Sequence, residues 1–277
     1  MYSGLALLSS LMWGTGDFLG GLASRRLPAL AVYGLSQAIG FVVMLVIATL
    51  AGAWGAPLGY WPWAILAAVL GLVGMLSFYR ALAIGPMGIV SPLAAVSVLV
   101  PVAFALLVRG EQPNGMQILG MILAFGGILL ASGPELTGAE SARPILLGLL
   151  AALMFGGMYI AFEQGSEVSP VMTMTGMRLT SVAIFIPILI IARGFGGATW
   201  RDAQLLVPLG VADASANVLY GIATTHGLMS TISVLGSLYP VVTAVLAAIF
   251  LRERLRAVQY VGVVGAVIGI LLISAGP

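Results

Sequence analysis

Residues 111–134 read EQPNGMQILGMILAFGGILLASGP, and residues 253–276 read ERLRAVQYVGVVGAVIGILLISAG. Laid over each other, the two segments share nine identical residues in 24 positions. Apolar helices share residues by chance, but a glutamate and a glutamine that match at one constant offset are harder to explain in that way. The pair of segments therefore indicates an internal duplication.

The same offset matches other parts of the chain. Residues 11–14, Leu-Met-Trp-Gly, fall on residues 153–156, Leu-Met-Phe-Gly, and Pro28 falls on Pro170. The duplication thus extends over nearly the whole sequence, almost without gaps. It predicts two repeats, at residues 1–134 and 143–277.

The composition indicates a membrane protein. Of 277 residues, 61% are apolar and only 7% are charged, whereas soluble domains are roughly 25% charged. The chain has no cysteine and a single histidine, His226, so neither a disulfide nor a thiolate metal site can form, and no metal or other cofactor is expected. A net charge of +2, without a basic run interleaved with aromatics, argues against nucleic acid as a partner.

Ten segments are long and apolar enough to cross a bilayer, for which a helix needs roughly 20 apolar residues. The first is not a cleaved signal peptide, because Arg25 and Arg26 follow it and no positive side chain precedes it. The predicted spans are residues 3–23, 29–51, 62–84, 89–108, 115–133, 144–164, 170–192, 203–225, 230–251 and 258–275.

Five spans per repeat is an odd number, so the second repeat must enter the membrane upside down relative to the first. Inverted repeats of this kind recur in transporters, with a solute site at the interface of the repeats. We therefore expect an all-α integral membrane protein of ten transmembrane helices, arranged as two inverted-topology five-helix repeats around a central cavity.

The arginines predict the orientation, because cytoplasmic loops are enriched in basic residues. The loops on the N-terminal side contain only Arg109. Those on the other side contain eight arginines, namely Arg25, Arg26, Arg143, Arg193, Arg201, Arg252, Arg254 and Arg256. Both termini are therefore predicted on the non-cytoplasmic side.

The repeated motifs resemble those of a known family. In the first half they are Trp13-Gly14, Ala81-Leu82-Ala83, Pro86, Pro101, Glu111, Gly120 and the run Gly126-Gly127-Ile128-Leu129-Leu130. In the second half they are Phe155-Gly156, Pro240, Arg252-Glu253-Arg254, Gly262 and the run Gly269-Ile270-Leu271-Leu272. This pattern resembles the drug/metabolite transporter superfamily, in its ten-helix branch with two EamA-type domains.

Within that superfamily the chain is most similar to bacterial amino-acid exporters of the YddG type. The resemblance implies a multi-pass protein of the cell (inner) membrane, with a cavity lined by helices one, three, four, six, eight and nine. Helices five and ten are expected to be peripheral. The superfamily also contains drug exporters and sugar carriers, so the resemblance leaves the substrate open.

Ionisable side chains inside spans are costly and mark solute paths or ion pairs. Five fall there: Asp17, Arg80, Glu163, Arg178 and Asp213. Their depths allow two structural ion pairs, Asp17 with Arg80 and Glu163 with Arg178, and they also allow Arg80 and Glu163 to extend to the membrane interface instead. For Asp17 we favour the alternative, in which it faces the cavity beside Trp13, away from Arg80, where it can take up the proton that drives transport.

Polar and aromatic side chains in the spans supply the candidate binding site. Residues 213, 217, 220 and 224 follow helical spacing and share one face, which serves interhelical hydrogen bonds or solute contact equally well. The candidate cavity residues are Trp13, Asp17, Phe78, Tyr79, Phe155, Tyr159, Asp213, Asn217, Tyr220 and Tyr239. Pro101 and Pro240 are the candidate hinges, because proline removes a helical hydrogen bond.

These features predict a secondary transporter that exports amino acids, including aromatic or apolar ones, or related small metabolites. Groups of both charge signs beside an aromatic, methionine-rich pocket suit a zwitterion. An exporter of lipophilic cations or drugs and a sugar-type carrier are the alternatives. The chain shows no nucleophile or metal constellation of an enzyme and no phosphate-binding loop for ATP. The expected partners are a small-molecule substrate and the lipid bilayer, with a monomer as the functional unit.

Overall fold

The computed structural model describes residues 2–24, 26–84, 94, 96–131, 142–191, 197–250 and 257–275. Helices make up nearly all of these segments, and we number them in chain order. They are α1 Tyr2–Ser24, α2 Ala29–Leu50, α3 Trp61–Ile84, α4 Leu99–Leu107, α5 Gly115–Ala131, α6 Ala142–Ser166, α7 Pro170–Ile191, α8 Ala203–Thr224, α9 Met229–Gly236, α10 Tyr239–Phe250 and α11 Ala257–Ala275.

The predicted segments coincide closely with these helices. Most bounds differ by one or two residues, because the connections are marked by prolines, glycines and charges that end apolar helices. For the fourth segment, only the part from residue 94 onward, without residue 95, is described, and there a 3-10 turn at Val96–Val98 leads into α4.

The ninth segment differs from its prediction. One continuous helix was expected over residues 230–251, but α9 ends at Gly236 and α10 begins at Tyr239. Pro240, the second residue of α10, has no N–H to donate, and its fixed φ suits the first turn of a helix, so it favours a helix start at this place. The result is a discontinuous helix, a form that transporters use where a solute binds.

Several helices have the length and hydropathy of membrane spans. In the described part of the chain, five segments meet both requirements: Leu30–Leu50, Leu58–Phe78, Arg143–Ser166, Pro170–Ile188 and Trp200–Thr224. Four shorter helical stretches are also apolar: Val96–Leu107, Gly115–Leu130, Met229–Thr243 and Ala257–Ile273. The chain is therefore a membrane protein with several apolar helices.

The fifth and last helices pack closely against each other. A Cβ on Gly127 of α5 would lie 2.6 Å from the carbonyl oxygen of Gly262, and one on Gly120 would lie 2.9 Å from that of Gly269. Small residues allow helix backbones to approach in this way within a membrane. On the outer faces of this pair, Ile122 and Leu271 are exposed, as expected for side chains that contact lipid.

Contacts between the halves are reciprocal. Gly14 of α1 lies against the Tyr239 carbonyl, where an added Cβ would be 2.7 Å from the oxygen. Its repeat equivalent, Gly156 of α6, lies against the Ser97 carbonyl at 2.8 Å by the same measure. Since the two oxygens also occupy equivalent repeat positions, each half contacts the other through the same pair of sites. Reciprocal contacts of this kind are expected when two halves are related by an approximate two-fold axis.

Candidate functional site

One end of the molecule is defined by contacts between connections. The Tyr2 ring stacks on His226 with a centroid separation of 4.9 Å, and Arg109 Nη2 lies 2.7 Å from Glu167 Oε1. Glu111 of the α4–α5 connection also accepts the Met229 N–H at the start of α9, at 2.8 Å. This bond links the other two contacts, so the start of α1 and the connections α4–α5, α6–α7 and α8–α9 meet at the same end. We call this the N-terminal end, and the other the opposite end.

An aromatic cluster lies in the interior where helices of both halves meet. Its members are Trp13 of α1, Tyr159 of α6, Tyr220 of α8 and Tyr239 of α10. Trp13 is central, with ring centroids 5.7, 5.5 and 6.3 Å from those of Tyr159, Tyr220 and Tyr239. Mostly tilted or edge-to-face contacts at these distances are favourable beyond the area they bury.

A small pocket opens on this cluster. It is lined by Trp13, Val98, Pro101, Tyr159, Tyr220, Ser233, Gly236 and Ser237. Its space is about that of one water molecule, far less than an organic solute needs. In this state the rings of the cluster therefore leave no room for an organic solute in this pocket.

Asp17 lies one helical turn beyond Trp13, toward the opposite end. Its side chain is exposed, yet its carboxylate is close enough to interact electrostatically with Asp213, Tyr159 and Tyr239. Asp17 is therefore accessible from the surface and also near groups of the interior. No ion pair joins Asp17 to Arg80 within the described residues, so this ion pair is absent from the structure, and the cavity-facing role of Asp17 stays a prediction.

Arg178 is buried in a polar cluster on the other side of Asp213. Its guanidinium donates through Nη1 to Gln37 Oε1 and through Nη2 to Asp213 Oδ2. Asn217 Nδ2 donates to the Asp213 backbone carbonyl at 2.7 Å and lies 3.3 Å from its Oδ1. Removing one partner of such a buried pair typically costs about 3–5 kcal/mol, so this cluster stabilises the contact among α2, α7 and α8.

The prediction that Glu163 pairs with Arg178 was wrong. Glu163, with no exposed side-chain surface, lies 2.7 Å from Arg109 Nη1, an ion pair without an aligned hydrogen bond at that oxygen. The reason is rotational: Arg178 faces α2 and α8, whereas Glu163 near the end of α6 faces the turn after α4. Depth along a helix was estimated from sequence, but its facing direction was not.

The remaining candidates are distributed differently. Phe78 and Phe155 pack edge to face, with ring centroids 6.3 Å apart, in the contact between α3 and α6. Neither is among the residues that line the small pocket. Pro101 does line it, in the first turn of α4. The side chains of Tyr79 and Pro240 lie outside the described part of the structure.

Sequence reasoning missed several polar residues near the site. Tyr220 Oη and Ser233 Oγ are 2.8 Å apart in a hydrogen bond, and Ser237 lines the pocket. The spacing of these serines, one turn apart in an apolar segment, was an available signal. Gln37 carried a weaker signal, as an isolated amide in α2. Arg109 and Glu111 were noted in the sequence as a loop charge and as part of a repeated motif. Their contacts with α6 and α9 are visible only in the structure.

Comparison with known proteins supports the fold and the family. A crystal structure described only as that of a protein is similar to this chain with a TM-score of 0.81 and 18% identity, covering 98% of this chain and 95% of the other. At that identity the likeness shows the fold alone. Among curated proteins, none matches the chain at a significant level.

The family model of EamA-like transporters matches twice, at residues 2–133 and 142–275. Together the matches span nearly the whole chain, in agreement with the duplication of its motifs and the reciprocal contacts of its halves. The chain therefore belongs to the EamA-like transporter family and is a membrane transporter of small solutes.

Proposed function

We propose that the protein is a secondary transporter that exports amino acids, aromatic and apolar ones among them, or related small metabolites. It resides in the cell (inner) membrane as ten spans in two inverted halves, with both termini on the non-cytoplasmic side. Transport proceeds by alternating access through the centre of the molecule.

The observation that carries this proposal is the aromatic cluster with Asp17 beside it. Aromatic faces bind apolar or planar side chains and attract cations. Asp17, one turn from Trp13, is placed to meet an ammonium group. A solute with an amino group and an apolar part therefore fits both elements, and Tyr159 and Tyr239 supply hydroxyls for a carboxylate.

A second candidate, the lipophilic cation, is favoured by one specific contact. The Arg178 guanidinium is occupied by Gln37 and Asp213, so it does not offer a cation to a substrate carboxylate. A cationic solute without a carboxylate needs only Asp17 and the rings. The two candidates thus differ in whether the substrate must carry a carboxylate.

Alternating access requires helices that bend near the site. Pro101 borders the pocket, and the break between α9 and α10 immediately precedes Pro240. We propose that these two positions are the hinges. Motion there would move Ser233 and Ser237 relative to Trp13 and so open the cluster.

Counterflow in proteoliposomes tests the substrate class. Vesicles preloaded with unlabelled solute are offered radiolabelled phenylalanine, its decarboxylated amine phenethylamine, tetraphenylphosphonium or glucose. We expect accumulation of phenylalanine, strongly reduced in Trp13→Ala, with Trp54→Ala as a control because Trp54 is exposed and far from the cluster. Accumulation of tetraphenylphosphonium alone would favour the second candidate, and accumulation of glucose alone would contradict both.

A further inference from the structure

The N-terminus of α9 is capped from a distant part of the chain. Glu111 Oε1 accepts the backbone N–H of Met229 at 2.8 Å, and Oε2 accepts that of Ser230 at 3.0 Å. The Ser230 hydroxyl also donates to Oε2 at 2.6 Å. The helix has no side-chain cap of its own, so this one carboxylate satisfies two of its free N–H groups and carries the charge that a helix N-terminus favours.

The helix held in this way is part of the transport site. All eight residues of α9 are buried. Ser233 and Gly236 line the pocket, and Ser233 is hydrogen-bonded to Tyr220 of the aromatic cluster. The position of Glu111 therefore determines the position of pocket residues one to two turns further along the helix.

The same turn also holds α6. Arg109 lies 2.7 Å from carboxylate oxygens of both Glu163 and Glu167, at the end of that helix. Gly110, between Arg109 and Glu111, has a φ of 67°, a left-handed conformation that other residues rarely adopt. This glycine lets two neighbouring charged residues reach different helices. Residues 109–111 of the first half thus fasten two helices of the second half at the N-terminal end.

From this geometry we infer that residues 109–111 form a latch, in which Glu111 is the positioning residue that keeps α9 against the pocket. While it is closed, α9 seals the N-terminal end, and the exposed Asp17 lies one turn beyond Trp13, toward the opposite end. For a solute to pass the N-terminal end, the bonds from Glu111 to Met229 and Ser230 must break. The inference rests on the proposed alternating access.

Labelling of a single cysteine tests the latch, since the chain has no native cysteine. Thr231→Cys places a thiol in the first turn of α9, where the side chain is buried. In detergent-solubilised protein without substrate, a maleimide should label it slowly. Adding Glu111→Gln removes the charge and one acceptor oxygen, and the rate should rise about tenfold or more, as loss of a charge-assisted hydrogen bond implies.

Two controls separate a local opening from other effects. Glu167→Gln removes an equal charge and one contact of Arg109 with α6, but no bond to α9, so the Thr231→Cys rate should change less than about twofold. A thiol at Ala67→Cys, buried in α3, reports general unfolding and should stay protected in Glu111→Gln. Equal acceleration at both thiols, or none at Thr231→Cys, would overturn the latch.

If Glu111→Gln fails to yield folded protein, Ser230→Ala decides the matter. It removes only the hydroxyl bond to Glu111. A rise in the labelling rate of Thr231→Cys, smaller than the rise of about tenfold expected for Glu111→Gln, supports the latch, and an unchanged rate overturns it. In counterflow, the folded Glu111 variant should raise KM more than it changes the maximal rate, because the pocket is displaced. Labelling needs no substrate, so its outcome does not depend on the proposed function. If Glu111→Gln accelerates labelling of Thr231→Cys but the protein carries none of the solutes, the latch stands and the proposed function is refuted.

Discussion

Individual charged residues of this chain are stabilised by partners on other helices. Arg178 reaches α2 and α8 together, and Arg109 reaches the end of α6. Unpaired, the Arg178 charge would be costly inside the membrane, so its contacts also determine how α2, α7 and α8 are rotated. Asp17, by contrast, has no ion-pair partner within the described residues, and its side chain is exposed. A carboxylate of this kind is available to a proton or to a solute.

The role of Asp17 can be tested by removing its charge. Asp17→Asn should abolish uptake driven by a pH gradient, because the amide cannot release a proton. Counterflow exchange should persist with a raised KM, because Asp17 is also the proposed partner of the substrate ammonium group. Proteoliposomes with and without an imposed gradient measure both activities. Glu140→Gln, which removes a carboxylate from the connection between the fifth and sixth predicted spans, should preserve both. If gradient-driven transport by Asp17→Asn keeps the parent's pH dependence, another group couples transport to protons.

At the scale of helices, α5 and α11 can pack closely because glycines without side chains lie at their contact. Gly127 leaves a Cβ no room, with the Ala266 Cα at 2.9 Å from its position. Its neighbour Gly126 has nothing within 4 Å of an added Cβ. Of these two adjacent glycines, Gly127 alone lies in a contact that leaves no room for a side chain. The sequence Gly126-Gly127 does not show which of the two it is.

This difference predicts opposite outcomes for two adjacent substitutions. Gly127→Ala should lower the free energy of unfolding by about 1–3 kcal/mol, because α5 and α11 must move apart. Gly126→Ala should be neutral or stabilising by up to about 1 kcal/mol, since alanine favours helix without a clash. Thermal or denaturant unfolding in detergent compares them. Equal destabilisation by both would mean that the helices are not packed at this distance.

At the scale of the molecule, charges are distributed unequally between the two ends. Arg109 lies at the N-terminal end. Arg26 and Arg201, by contrast, flank α2 and α8 at the opposite end, where Arg26 interacts electrostatically with Asp202. Arg25, Arg193, Arg252, Arg254 and Arg256 lie outside the described residues. Because basic residues are enriched in cytoplasmic loops, the larger number of arginines at the opposite end predicts that this end is cytoplasmic.

Single cysteines at exposed positions test this orientation. In intact cells, an impermeant thiol reagent should label Pro57→Cys in the α2–α3 connection, which lies at the N-terminal end. It should reach Trp200→Cys, whose parent side chain is 90% exposed at the opposite end, only after the membrane is permeabilised. Labelling of the unsubstituted, cysteine-free chain measures the background. The reverse pattern would mean that the arginines do not set the orientation.

The sequence by itself was sufficient for the composition class, the duplication and most of the helix bounds, but not for the break in the ninth span. These properties depend on local hydropathy, on prolines that stop helices and on motifs repeated at a constant offset, all of which are readable along the chain. The aromatic residues of the site were identified in the same way, because Trp13 and Tyr220 are unusual within apolar segments.

Only the tertiary structure decided which of these residues meet. Glu163 was expected beside Arg178 but lies beside Arg109, and the cap of α9 comes from Glu111, 118 positions away. Such partners depend on the rotation of each helix about its axis and on the packing of one half against the other. Helices that are apolar nearly all round carry little periodic signal for that rotation, so it is determined by close contacts such as those at Gly14 and Gly156.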